Sequence, residues 1–216
     1  MRFVVISDTH GFHRDLPRLP KGEVLIHAGD ISNMGREAEV KDFLDWFSRQ
    51  DYKYKIFIAG NHDFLFERFP DVVPSLIPEN VIYLEDSSVE IDGIKIYGSP
   101  ITPFFYNWAF NRRRGLQIKP YWEKIPADTD ILITHGPVYG ILDKTTGGDL
   151  TGCRALQERM KTLHVKFHLC GHIHEAYGKI KKKGTTYINA SILNEHYRIT
   201  NKPVVFSMKT ISKLIN

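Results

Sequence analysis

Phe3-Val4-Val5-Ile6-Ser7-Asp8-Thr9-His10 joins an apolar run to two residue types that bind metals. Consecutive apolar residues of this kind are typical of a parallel strand buried on both faces, so we predict a strand over residues 2–7. Parallel α/β sheets place their ligands at the carboxyl ends of the strands, which makes Asp8 and His10 candidate ligands. Side chains two residues apart on an extended chain point the same way. Both can therefore reach one cation if the chain stays extended past the strand.

The same arrangement recurs along the chain. Further apolar runs cover residues 24–26, 56–58, 131–133 and 167–170. The polar clusters that follow them are Gly29-Asp30, Gly60-Asn61-His62-Asp63, Thr134-His135-Gly136 and Gly171-His172-Ile173-His174. Each cluster alone is a weak signal, since Gly-Asp, for example, is ordinary turn chemistry. Their ordered co-occurrence after buried strands predicts a metal-dependent catalytic centre at the edge where those strands end.

Hydrophobic periodicity gives a coarse map of the chain. Strands are predicted over residues 2–7, 23–28, 54–59, 80–85, 130–135, 166–171 and 203–209, hairpins over 88–97 and 176–190, and helices over 35–49 and 152–163. Three prolines interrupt residues 64–78 and leave only short helical turns there. Helices between the early strands and hairpins later on predict an α/β fold of two packed sheets with helices outside.

Length, composition and charge limit the classes of protein to which the chain can belong. The 216 residues are 42% hydrophobic and 25% charged, which predicts a single globular domain, 1–216. A net charge of +4 allows an anionic substrate but is too weak to imply nucleic-acid binding. A strand starting at Arg2 leaves no room for a signal peptide, and no apolar run approaches the roughly 20 residues of a membrane span. We therefore expect a cytoplasmic protein without a membrane partner, and reduced core thiols at Cys153 and Cys170.

The donor types point to two transition-metal ions. Imidazole, carboxylate and amide oxygen together suit Mn, Fe, Zn, Ni or Co better than Ca or Mg. Two aspartates, one asparagine and four histidines are too many for one catalytic ion with an open position. They suit two ions, roughly 3.5–4 Å apart, that share the two oxygens of Asp30. Such a pair lowers the pKa of bound water from about 15.7 toward about 7 and so supplies hydroxide at neutral pH.

The cluster at residues 60–63 adds a candidate acid. His62 follows the candidate ligand Asn61 and is free to protonate a leaving oxygen, with Asp63 placed to orient its imidazole. His172 and His174 share the spacing of Asp8 and His10, although a turn there would aim them differently.

The remaining histidines are assigned to the core, the surface or the site from their neighbours in the sequence. His27 and His168 lie inside strand patterns and are expected to be core or sheet residues, whereas His164 and His196 are expected at the surface. His13 lies close in sequence to the predicted site and is a candidate for substrate contact.

These ordered motifs, D-x-H, G-D, G-N-H-D/E, H and G-H-x-H, resemble those of the calcineurin-like metallophosphoesterase superfamily. The resemblance runs from Asp8 to His174 and implies a four-layer α/β sandwich of two mixed sheets flanked by helices. It also implies roles for the motif residues. The first metal would be held by Asp8, His10 and His174, with Asp30 bridging, and the second metal by Asn61, His135 and His172; His62 would be the leaving-group acid or transition-state stabiliser.

Further sequence features indicate which subgroup of this superfamily the chain resembles. Ile31-Ser32-Asn33-Met34-Gly35 lacks the arginine that follows Gly-Asp in phosphoprotein phosphatases, which argues against protein phosphatase activity. Residues 58–63, 97–100, 108–111, 134–137 and 186–191 are similar to metallophosphodiesterases related to the vertebrate MPPED (239FB-like) proteins. That similarity implies hydrolysis of small phosphodiesters, with nucleotide-type substrates as candidates, and two divalent ions with Mn favoured.

Substrate contacts are expected from residues 100–115 if the subgroup match holds. Asn111 and one of Arg112, Arg113 and Arg114 would bind phosphate, and Trp108 or Phe110 would stack on a base. In the alternative interpretation the aromatic residues fill the core and the arginines face solvent.

Three functions remain open at this point. A phosphodiesterase or phosphomonoesterase acting on a small substrate is favoured. A nuclease or DNA-repair esterase of the same superfamily is second, since nucleic acid stays a possible partner. A metal-binding scaffold that has lost catalysis and serves protein interaction is third, although every ligand and His62 are retained.

Overall fold

The computed structural model of the chain describes residues 1–209, so residues 210–216 of the predicted domain lie outside the described residues. The strands are β1 (Arg2–Ile6), β2 (Val24–Ala28), β3 (Tyr54–Ile58), β4 (Ile82–Tyr83), β5 (Ser87–Ile91), β6 (Ile94–Ser99), β7 (Thr102–Pro103), β8 (Asn111–Arg112), β9 (Ile131–Thr134), β10 (Phe167–Cys170), β11 (Gly178–Lys182), β12 (Thr185–Asn189) and β13 (Val204–Ser207). The helices are α1 (Glu37–Ser48), α2 (Phe64–Arg68), α3 (Val73–Leu76), α4 (Lys119–Glu123) and α5 (Arg154–Met160), with 3-10 turns at Phe12–Asp15 and His174–Ala176.

Two large mixed sheets form the centre of the molecule. The first has the order β13-β1-β2-β3-β4 and the second β11-β12-β10-β9-β6-β5. In the first sheet β13 is antiparallel to β1 while β1 to β4 are parallel. In the second, β6, β9, β10 and β12 are parallel, and β5 and β11 are antiparallel edge strands. The predicted fold class, two mixed sheets flanked by helices, is confirmed.

The central strands β1, β2, β9 and β10 are largely apolar and buried because both of their faces are covered, whereas the edge strands β5 and β11 are more polar and more exposed. Phe3 and Val5 lie in the layer between the sheets, whereas Val4 packs in the outer layer beneath the helices. Phe206 of the first sheet stacks on Phe3 and on Phe167 of the second, with ring centroids 4.8 and 4.1 Å apart. This stack ties the two sheets together away from their carboxyl ends.

The outer layer follows from helical periodicity. Val40, Phe43, Leu44 and Phe47 recur at three- and four-residue steps along α1, and all four are buried. At the start of the helix the carboxylate of Glu39 accepts a hydrogen bond from the Arg36 backbone N–H at 2.9 Å.

At their carboxyl ends the two sheets are joined by backbone hydrogen bonds. The N–H of Ser7 donates to the carbonyl of Ala190, and the N–H of Ile192 donates to the carbonyl of Ser7, both at 2.9 Å. The loops that follow the parallel strands of both sheets therefore meet at one edge.

Several sequence predictions need correcting in detail. The strand predicted over 80–85 is only Ile82–Tyr83, and the helix predicted over 152–163 ends at Met160. The pairing of Thr102–Pro103 with Asn111–Arg112 was not predicted, because two-residue strands carry no periodicity.

Other predictions from local context are confirmed. Cys153 and Cys170 are buried free thiols, and His164 and His196 are exposed. His27 and His168 are buried in the sheets, where they lie 2.9 and 2.8 Å from threonine hydroxyls. Among residues 1–209, no helix is long and apolar enough to span a bilayer.

Candidate metal centre

The ligand residues sit on loops whose backbone leaves the extended region. Asp8, His10, Asp30 and His172 have φ of 54°, 42°, 56° and 69°, values uncommon for residues other than glycine. Such conformations persist where the surroundings enforce them, and they cluster at functional sites. The expectation of an extended chain through Asp8 and His10 is therefore wrong. Their backbone N–H groups pair with the carbonyls of Gly29 and Asp30, and this pairing turns the loop.

Asp8, His10 and His174 form what we call the first ligand group, whose donor atoms all lie within 4.8 Å of one another. His10 Nε2 is 3.3 Å from His174 Nε2, which is 3.5 Å from Asp8 Oδ1. His174 Nδ1 donates to the carbonyl of Asn194 at 3.0 Å. This hydrogen bond orients the ring and directs Nε2 into the group.

Asp30, His135 and His172 form the second ligand group. His135 Nε2 is 3.2 Å from Asp30 Oδ2 and 3.0 Å from Asn61 Oδ1, which adds the amide oxygen to this group. His135 Nδ1 donates to the carbonyl of Ala28 at 3.0 Å, so Nε2 is the nitrogen directed at the centre. A turn sends His172 to this group and His174 to the first.

The Asp30 carboxylate lies between the two groups. Its Oδ2 is 3.6 Å from His10 Nε2 and 3.2 Å from His135 Nε2. Its Oδ1 accepts the backbone N–H of His62 at 2.9 Å. This position suits a bridging ligand, with Oδ2 near both groups, whereas the prediction was that the two oxygens would each bind one ion.

The electrostatics of the groups fit divalent cations. Burial would raise the pKa of Asp8 and Asp30, but the neighbouring histidines outweigh it and hold both pKa values below their usual range. Burial lowers the pKa of His10 to about 4, so its imidazole is a neutral donor. Burial would also lower the pKa of His135 and His174, yet the carboxylates raise both to about 9. A cation that binds at these two nitrogens would therefore compete with protons for them.

Two glycines make room for the carboxylates. A Cβ at Gly60 would lie 2.3 Å from Asp30 Oδ1, and one at Gly171 would lie 1.9 Å from Asp8 Oδ2. Both distances are far below any real Cβ contact. The glycines of Gly-Asn-His-Asp and Gly-His-Ile-His are therefore required by the close approach of a ligand carboxylate.

His62 is held beside both groups, and its ring offers a nitrogen within 4.8 Å of donor atoms of His10 and Asp30. Its ring is 4.6 Å from that of His10 between centroids and stacks on Trp108 at 4.1 Å with an interplanar angle of 28°. Its Nδ1 lies 2.7 Å from the carbonyl of Asn33, which accepts the Nδ1 proton. This orientation leaves Nε2 as the nitrogen free for a substrate.

Asp63 has a different role from the predicted orientation of His62. Its carboxylate accepts hydrogen bonds from the N–H groups of Ile31, Ser32 and Gly60 and from the Ser32 hydroxyl, at 2.6 to 3.2 Å. It thereby ties the loop carrying Asp30 to the loop carrying Asn61. Burial and the charge of Asp30 raise the pKa of Asp63 to about 6. The orienting partner of His62 is the Asn33 carbonyl, a backbone group that sequence patterns do not reveal.

The candidate phosphate-binding arginines point to protein groups. Arg112 donates to Glu67 at 3.0 Å and to the Tyr121 hydroxyl at 2.8 Å. Arg114 donates to the carbonyls of Thr151 and Gly152, both at 2.7 Å. Arg113 is the exception: it is exposed, and its contact with Gln117 is made by the backbone N–H, at 3.2 Å, and not by the guanidinium.

Asn111, Phe110 and His13 also have structural surroundings. The Asn111 amide donates to the carbonyls of Phe105 and Tyr106 and so braces that loop. Phe110 is buried in the core, and its predicted stacking on a base is therefore wrong. His13 is buried against Phe43 and Trp46, 3.0 Å from Asp42, which removes it from substrate contact.

Sequence reasoning missed the supports supplied by the chain after β12. The Ser191 hydroxyl donates to Asp8 Oδ2 at 2.7 Å, and the Asn194 carbonyl orients His174. The ring of Tyr197 lies 4.9 Å from His10 and 5.3 Å from His174. Ser191 lies within residues 186–191, which resemble the metallophosphodiesterase subgroup in sequence, but no pattern there indicates a contact with Asp8.

A two-sheet sandwich with aspartate, asparagine and histidine ligands at its strand ends defines the class of metal-dependent phosphoric ester hydrolases. Residues 1–176 match the family model described as calcineurin-like phosphoesterase. The chain belongs to this family, as the motif resemblance predicted.

Named relatives agree with this placement. The chain is 41% identical to human metallophosphoesterase domain-containing protein 1 over 97% of its own length and 71% of the relative. It is 36% identical to UPF0046 protein T07D4.2 of Caenorhabditis elegans over 96% of its length and 60% of the relative. The crystal structure of TT1561 of Thermus thermophilus has the same fold, with a TM-score of 0.62 at 12% identity over 87% of this chain and 88% of that one.

Proposed function

We propose that the protein is a two-metal phosphodiesterase that hydrolyses small phosphodiesters, nucleotide-type esters among them, with His62 as the leaving-group acid. The observation that carries the proposal is the convergence of all seven candidate ligands on two adjoining groups with Asp30 Oδ2 between them. Mixed nitrogen and oxygen donors suit Mn, Fe, Zn, Ni and Co alike, and manganese is favoured among them on the resemblance to the metallophosphodiesterase subgroup.

Bound divalent ions would polarise the phosphoryl oxygens and acidify a water molecule. The chain itself supplies the rest. The first ligand group and the second ligand group with Asn61 fix two positions, and the Asp30 carboxylate is common to both. His62, oriented by Asn33 and adjacent to His10, is placed to give its Nε2 proton to the departing oxygen.

The diester preference rests on charge. A phosphomonoester carries about two negative charges near neutral pH and a diester one. Arg112 and Arg114 are engaged by protein acceptors, so the contacts available to offset a second negative charge are fewer than the sequence suggested. A singly charged diester suits this surrounding better than a monoester dianion.

The alternatives of phosphomonoesterase, nuclease and non-catalytic scaffold stay testable. The cytoplasmic location also stays a prediction from sequence.

Metal-stripped protein tests the proposal directly. We expect it to be inactive in EDTA and to hydrolyse bis-p-nitrophenyl phosphate faster than p-nitrophenyl phosphate once Mn is added. Faster monoester turnover would favour a phosphomonoesterase. Absence of turnover with each of the five metals, while two ions are bound, would favour the scaffold.

Two variants test the assigned roles. Asp30→Ala should lose bound metal and nearly all activity, because both groups share its carboxylate. His62→Ala should keep the metal and lose most activity on esters with poor leaving groups, which need protonation more. The exposed His164→Ala is the matched control. If His62→Ala hydrolyses good and poor leaving groups in the wild-type ratio, the acid role is wrong.

A further inference from the structure

The ring of Trp108 lies directly beside the candidate acid His62. It is half-buried, it stacks on His62, and it is also 5.8 Å from the ring of Phe64. The next residue anchors it, since the Ala109 N–H donates to the Asn61 carbonyl at 3.0 Å. Trp108 is therefore fixed relative to the metal ligands and to the candidate acid.

A second aromatic ring, that of Tyr197, lies beside His10 and His174. Tyr197 has φ of 55°, a strained conformation for a bulky residue, and its side chain packs against His10 and His174 while the residue stays 44% exposed. The Tyr197 N–H donates to the Asn194 carbonyl at 2.9 Å, the same oxygen that orients His174. One turn thus fixes a metal ligand and an exposed aromatic ring together. Tyr197 lies outside residues 1–176, the part that matches the family model.

His62 and His10 connect the two rings. Trp108 contacts His62, His62 contacts His10 edge-on, and His10 contacts Tyr197. A leaving oxygen that takes its proton from His62 must depart next to these imidazoles. The group attached to that oxygen would therefore lie beside Trp108 and Tyr197.

Building on the proposed function, we infer that Trp108 and Tyr197 together form a leaving-group subsite selective for flat aromatic alcohols or for alcohols that carry an aromatic base. Aromatic rings held rigidly bind flat π systems by stacking at little entropic cost, whereas small aliphatic alcohols offer no such face. Neither ring supplies a metal ligand, so the proposed role of both residues is to determine which leaving group is preferred.

The test compares methyl phenyl phosphate with methyl 2-naphthyl phosphate on the Mn-loaded protein. Phenol and 2-naphthol have nearly equal acidity, so the ratio of kcat/KM reports stacking area and not leaving-group chemistry. We expect the wild type to favour the naphthyl ester about tenfold. Trp108→Leu and Tyr197→Leu should each reduce the preference to threefold or less. Tyr106→Leu, an exposed aromatic residue on the same loop as Trp108, should keep it. Because the ratio is taken within one preparation, a partly unfolded variant does not distort it.

Each possible outcome either supports or overturns the two-ring subsite. A wild-type ratio near one, or an unchanged ratio in either variant, overturns the two-ring subsite while leaving the phosphodiesterase proposal intact. Equal losses in Tyr106→Leu would also overturn it, because the effect would then be general to exposed aromatic residues. Absence of any metal-dependent diester hydrolysis would overturn the proposed function and this inference with it.

Discussion

Replacing Gly171 by alanine tests whether the first ligand group depends on the close approach of Asp8 to the backbone. The new Cβ would lie 1.9 Å from Asp8 Oδ2 and 2.1 Å from the Ser7 hydroxyl oxygen. Real Cβ atoms essentially never come within 3.0 Å of such neighbours, so the carboxylate has to retreat by about 1 Å. The backbone of Gly171 is outside the left-handed region, so alanine adds the clashes with Asp8 and Ser7 but no backbone strain.

The cost follows from what holds Asp8. Its carboxylate accepts the His172 N–H at 3.0 Å and the Ser191 hydroxyl at 2.7 Å, and a shift of about 1 Å breaks both hydrogen bonds. Hydrogen bonds to a charged group contribute about 1.5–3 kcal/mol each, so we expect the free energy of unfolding to fall by about 3 kcal/mol or more. Metal–ligand distances tolerate about 0.2 Å, and the ion in the first ligand group should be lost.

Gly136→Ala is the matched control, since its Cβ would meet Thr102 Cγ2 at 3.5 Å, an ordinary contact beside another ligand, His135. Metal content by mass spectrometry should be two ions per chain for wild type and Gly136→Ala, and one or fewer for Gly171→Ala. Urea unfolding gives the stability change. If Gly171→Ala binds two ions with wild-type stability, the reasoning from this contact is refuted.

Three further outcomes are expected. Asp63→Asn should lower the free energy of unfolding by about 3 kcal/mol in urea titrations, because the new NH₂ group would face backbone N–H donors that now meet a carboxylate oxygen. If the variant instead keeps its stability and loses only His62-dependent activity, Asp63 does orient His62. Metal binding at pH 7.5 should release about two protons, since the pKa values of His135 and His174 are raised to about 9 in the metal-free protein. Metal affinity should accordingly increase as pH rises toward 9, and calorimetry in buffers of different ionisation enthalpy that detects no proton release would contradict this. Arg112→Ala should leave the substrate KM within about threefold and lower thermal stability, because its carboxylate and phenol partners are structural; a KM raised tenfold would make Arg112 a phosphate ligand after all.

Much of the candidate metal centre could be predicted from the sequence, because its ligands directly follow the predicted strands. Parallel strands buried on both faces give continuous apolar runs, and the polar residues that follow them share one edge of a sheet. That logic predicts Asp8, Asp30, His135 and His172 as candidate ligands, and the structure brings all four into the two ligand groups.

The same logic could not assign residues whose role depends on a partner distant in sequence. Asp63 follows His62 directly, yet its carboxylate binds backbone groups near residue 32. Arg112 has the right chemistry for phosphate, but Glu67 lies within 3.0 Å of it. Local patterns record which groups are available, whereas burial and geometry decide which group each one meets.

Local periodicity and residue type are enough to predict the α/β class, the strand ends where the candidate ligands lie, and a donor set suited to divalent transition metals. Contacts between distant segments, in contrast, place Asp30 Oδ2 between the two groups, the Asn33 carbonyl beside His62 Nδ1, and the ring of Tyr197 against His10. These contacts join segments up to about 190 residues apart, through backbone carbonyls and strained turns that no side-chain pattern encodes.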